Sequence, residues 1–138
     1  MKADFLDAHD RHWDDAEILF AANRFANADH LYGIAAECGL KRLMLIFGMP
    51  VDPDTGSPNS KDDRKHPNDL WIRFECYRSG KAAGTGYALT SANPFGSWHV
   101  SDRYAHQSNF DQTRVEGHQA GAQEVHNLIG KAKREGLL

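Results

Sequence analysis

The chain has 138 residues, a net charge of -3 with histidines neutral, and 41% apolar residues. That length suits one domain with one core. The charge balance excludes a global basic field that would hold nucleic acid, although a local basic patch remains open. No run of 18 apolar residues offers a membrane span. The opening MKADFLDAHD is too acidic for a signal peptide, so a cytoplasmic protein is expected. Cys38 and Cys76 fall in predicted helices without metal-ligand spacing and read as reduced core thiols.

The first predicted helix runs from about Asp4 to Arg24, with Leu6, His9, Trp13, Ala16 and Phe20 as its buried stripe. A short turn leads to a second helix, capped by Asn27 and ended by Gly48 and Pro50. This helix is apolar on two faces. One carries Ala28, Leu31, Ala35, Cys38 and Leu45, and the other Tyr32, Ala36, Leu40, Leu43 and Phe47. Such a helix belongs at the centre of a bundle. Residues Val51 to Lys65 read as a solvated polar loop. A third helix starts at His66-Pro67 and stops at Ser79-Gly80, with Leu70, Phe74 and Tyr77 inward and Trp71 beside them. The stretch from Gly80 to Gly96 is glycine-rich, irregular, and either functional or mobile. Ser97 to His106 reads as a short turn or extended segment lying across the bundle. The last helix runs from about Asp111 to Glu135 on a stripe of Val115, His118, Ala122, Val125, Ile129 and Ala132. The expected fold is therefore all-α. It is a four- to five-helix up-and-down bundle with a long irregular loop before the last helix.

Chemical signatures are sparse. Neither Gly80-Lys81 nor Gly84-Thr85-Gly86 completes a phosphate loop, and no nucleophile motif is present. Helical zinc ligands favour i, i+4 pairs with an acidic or Cys partner. His9 with His12, and His118 with His126, lack that arrangement, so neither metal nor cofactor is expected. Glu37 stands out as the one acid in the interior part of the second helix. It has two candidate partners: Lys41 on its own helix, and Arg103, set between Trp98 and Tyr104. Arg103 is the expected partner, because a guanidinium among aromatics needs a carboxylate.

Two stretches resemble the HEPN domains, small helical bundles. One is HWDDAEILFAANRFANADHLYGIAAECGLKRLM, with its A-D-H-L entry and A-E-x-x-L-K centre. The other is WHVSDRYAH, similar to an R-Y-P segment before the family's last helix, with Ala105 in place of Pro. The resemblance implies an all-helical homodimer with a shared cleft. Members that cut RNA carry an Arg and a His separated by four to six residues in that late region. Here only two residues separate Arg103 from His106, positions 108 to 110 are Ser108, Asn109 and Phe110, and the one pair with a fitting interval, Arg24 and His30, sits at the turn between the first and second helices instead. The resemblance therefore implies a non-catalytic RNA-binding or accessory module, with a nucleotidyltransferase-type protein or RNA as partner. Glu37, Trp98, Arg103 and Tyr104 are the binding candidates. The alternative is a metal-independent endoribonuclease of toxin type. In it Arg103 would stabilise phosphate and His99 or His106 would move a proton. A third reading is a small-ligand sensor using the loop from Lys81 to Asn93.

Overall fold

The computed structural model describes residues 1–138. The protein is an all-helical bundle of four α-helices: α1 (Phe5–Ala21), α2 (Phe25–Ile46), α3 (Pro67–Arg78) and α4 (Gln112–Arg134). Four short 3-10 helices fill the connections, at Lys61–Arg64, Ala82–Tyr87, Val100–Tyr104 and Gln107–Asn109. No helix is long and apolar enough to cross a membrane.

Local chemistry sets the helix ends. The Asp4 carboxylate accepts from the backbone N–H groups of Leu6 and Asp7, each at 3.1 Å, and starts α1. Asp111 does the same for α4 through Arg114 N at 2.8 Å. Asn23 ends α1 in the left-handed region at φ 57°, a conformation asparagine tolerates. The chain then re-enters helix at once. α2 therefore begins at Phe25, two residues before the expected Asn27, and has no side-chain cap. α3 opens on His66 and Pro67 as the sequence predicts.

α2 lies at the centre and packs against the other three helices. Ala35, Ala36, Leu40 and Leu43 are wholly inaccessible on it. Its small residues set how closely the neighbours approach. A methyl group at Gly33 would come within 2.1 Å of the Trp98 ring, and one at Gly39 within 2.5 Å of Val125. Removing these side chains lets an indole and α4 sit directly on the α2 backbone.

Two connections and one cysteine differ from expectation. The stretch from Val51 to Lys65 is not merely solvated. Asp52 folds it into a turn through Thr55, and Ala3 N bonds Thr55 O at 2.8 Å. Asp63 within it is fully buried, accepting from Arg73 at 2.7 Å and from Tyr77 at 2.6 Å. The segment from Gly80 to Gly96 delivers Tyr87 and Phe95 to the core, and Trp98 follows. Its glycines permit close passage while its aromatics anchor it. Cys76 is exposed rather than a core thiol; Cys38 is buried, and burial pushes its thiol up to about 12.

Candidate functional site

Two polar assemblies hang on α2. The inner one starts at Asp29, which is fully buried. One carboxylate oxygen pairs with His118 Nδ1 at 2.6 Å, and the other faces Arg114 Nε at 3.5 Å without hydrogen-bond geometry. Arg114 continues outward to the Asp102 carboxylate at 3.0 Å and the Ser97 carbonyl at 3.1 Å. The Asp29 carbonyl accepts from Trp98 Nε1 at 3.0 Å. Phe95 stacks on His118, with ring centroids 5.5 Å apart. This assembly ties α2, α4 and the segment before α4 together. Nothing in the local sequence marks Asp29 as buried, two residues after the expected cap Asn27. The signal was present in His118, a polar residue on the apolar stripe of α4 that had to find a partner inside.

The outer assembly centres on Glu37. The expected contact with Arg103 does not form. Glu37 instead accepts from Lys41 Nζ at 2.6 Å and pairs with His66 Nδ1 at 2.9 Å. Lys41 is itself buried, with its ammonium 5.8 Å from the Phe5 ring centroid. The helical i, i+4 spacing satisfies the carboxylate locally, and the start of α3 delivers His66 as the second partner. Trp98 is fully buried between His30, stacked at 5.9 Å, and His66 at 6.2 Å. It is a packing wedge, not a surface for a ligand. The His30 ring is held below its ordinary pKa by burial first, then by the nearby Arg103 and His12. Its Nδ1 is buried without a hydrogen-bond partner.

Arg103 makes neither a hydrogen bond nor an ion pair with Glu37. Its guanidinium lies 4.7 Å from the Tyr104 ring centroid and donates to the Tyr104 hydroxyl at 2.8 Å. Tyr104 is 78% exposed, so the flanking aromatic does not bury the arginine. The 3-10 helix at Val100–Tyr104 turns this pair to the surface because Trp98 has already taken the inward position.

Arg103 and His106 line a cleft of about 460 Å³, whose opposite wall is the turn between α1 and α2 with Arg24. Neither Arg24 nor Arg103 makes an ion pair within the chain. Asp102 also lines the cleft, but Arg114 holds its carboxylate. The first turn of α2, with no side-chain cap, forms part of the same wall. Unbonded backbone N–H groups and the positive end of the helix dipole add to the two guanidinium charges. His106 uses Nδ1 to accept from Ser108 N at 3.2 Å, and His99 is exposed outside this cleft. Neither histidine is aligned by a carboxylate. The chain matches no protein-family model, no curated protein and no solved structure.

Proposed function

We propose that the chain is a HEPN-like, non-catalytic binding module that holds single-stranded RNA as a homodimer beside a nucleotidyltransferase-type or other nucleic-acid partner. The observation that carries this reading is the cleft with two unpaired arginines facing an uncapped helix start. Guanidinium groups and free N–H donors suit phosphate oxygens. The exposed Tyr104 beside them suits stacking of an unpaired base. The overall acidity of the chain is no obstacle, because a local basic patch sets the contact.

Fluorescence anisotropy with a labelled single-stranded RNA tests the reading. Binding should weaken as salt rises. Arg24→Ala and Arg103→Ala should each weaken it about tenfold, and Tyr104→Ala by a similar factor. Unchanged binding in all three variants would overturn the proposal. Light scattering tests the dimer, with twice the 15.4 kDa chain mass expected. A second reading, the toxin-type endoribonuclease, draws on the same cleft because Arg103 and His106 share it. Cleavage of that RNA by the wild-type chain, lost in His106→Ala while binding persists, would favour it.

A further inference from the structure

Away from the cleft, α1 and α4 bring three metal-ligating side chains together. They are His9 and Asp10 from α1 and His126 from α4, with one ligand atom of each within 4.8 Å of the others. None of them lines the arginine cleft. The two histidines stand 117 positions apart in the chain, so no spacing motif announces them.

The protein presets this group. His9 is fully buried, and its Nδ1 lies 2.8 Å from the Ala35 carbonyl oxygen. A carbonyl oxygen only accepts, so Nδ1 carries the proton and Nε2 presents a lone pair. That lone pair faces His126 Nδ1 at 3.0 Å. Trp13 stacks on the His126 ring, 4.7 Å away and 14° from parallel, and limits its tilt. A methyl group at Gly39 would meet His9 Nδ1 at 2.7 Å, so the bare backbone of α2 fixes the depth of the His9 ring. The Asp10 Oδ2 atom is held by Lys133 Nζ at 2.7 Å, while Oδ1 receives no bond from the protein.

Zinc bonds to imidazole nitrogens at about 2.0–2.1 Å, so two such ligands in a tetrahedral array stand roughly 3.3 Å apart. The observed 3.0 Å needs an opening of a few tenths of an ångström. Asp10 and His126 are half-buried, and the Asp10 carboxylate, whose ligand atom lies within 4.8 Å of both histidine nitrogens, would close on them by side-chain rotation while His126 turns within the range that Trp13 leaves it. We propose that His9, Asp10 and His126 form a divalent-cation site of the Zn²⁺ class that joins α1 to α4. The fourth position is left for water. Ala35 and Lys133 are its supporting partners, one fixing the His9 tautomer and the other orienting the carboxylate.

Without a cation, the same two rings form an imidazole–imidazole hydrogen bond, with His126 Nδ1–H donating to His9 Nε2. Cation binding moves the His126 proton to Nε2. The two states therefore differ in tautomer as well as in occupancy. The test uses the untagged chain after chelator treatment. Calorimetric titration with Zn²⁺ should give saturable one-to-one binding, and Co²⁺ should give visible d–d bands. Nitrogen NMR of the imidazoles should show His126 changing tautomer on addition of Zn²⁺. His126→Ala and Asp10→Asn should each weaken binding at least about tenfold. His106→Ala, which alters an exposed histidine outside the group, should leave it unchanged. Absence of saturable binding, or binding that survives both His126→Ala and Asp10→Asn, would overturn the site. So would a Zn²⁺ complex in which His126 keeps its proton on Nδ1.

Discussion

The inner and outer polar assemblies of α2 solve the same problem in opposite ways. Asp29 is sealed inside, and its partners come from α4, far away in sequence. Glu37 lies nearer the surface, and its first partner is one turn away on its own helix. The sealed group therefore depends on correct assembly of the whole bundle, whereas the outer one is half made as soon as α2 forms. Breaking each in turn separates long-range from local dependence.

The largest effect is expected from Asp29→Ala. It leaves His118 buried without its partner, while Arg114 keeps Asp102 and the Ser97 carbonyl, and removing one partner of a buried pair costs up to about 3–5 kcal/mol. A denaturant titration showing a loss below about 1 kcal/mol would break the comparison. Gly33→Ala attacks the wedge that links the two assemblies. The added methyl group would meet the Trp98 ring, and overpacking of this kind costs about 1–3 kcal/mol. Thermal melts should show it, with near-ultraviolet dichroism reporting a displaced indole. Glu37→Gln leaves the buried Lys41 without its counter-charge while keeping shape. A hydrogen bond to a charged group contributes about 1.5–3 kcal/mol, and the partial exposure of this site puts the expected loss at or below the low end.

A smaller effect follows from pH. His30 is held below its ordinary value of 6.5, by burial first and then by Arg103, His12 and His66, with Asp29 opposing. The folded state therefore binds fewer protons than the unfolded chain in that range. Stability is full well above pH 6.5 and falls as pH drops through it. Melting temperatures between about pH 7 and pH 5 should decline, and His30→Asn should flatten part of that decline. Arg103→Ala should change stability least, within about 0.5 kcal/mol, because the side chain is exposed and unpaired. A large destabilisation there would restore the expected Glu37–Arg103 dependence.

The sequence exposes the bundle well. Two apolar stripes on α2, the α4 stripe and the Pro67 start all carry local periodicity or capping chemistry, and each is present in the structure. The candidate site was much less legible. Glu37 is visible in the sequence as an acid needing a partner, and Lys41 lies one turn away, but distance in sequence hides His66. Trp98 and Tyr104 look alike in a string, yet one is sealed and the other 78% exposed. Only the turn of the 3-10 helix between them decides which goes inward. Arg24 joins Arg103 for the same reason, since the α1–α2 turn and the segment before α4 become neighbours only after the bundle closes.

The segment that carries Tyr87, Phe95 and Trp98 bears on the lifetime of the folded state. The α1–α2 hairpin is built from contacts near in sequence, so its closure costs little chain entropy and suits an early event. The aromatic segment reaches α2 across a long separation, as in the Trp98 bond to the Asp29 carbonyl. Contacts of that kind complete late. Substitutions in α1 or α2 should then slow refolding, while Phe95→Leu should chiefly hasten unfolding. On this account the aromatic segment is a latch: changes in it should hardly alter how fast the bundle is reached and should set how long the bundle stays closed.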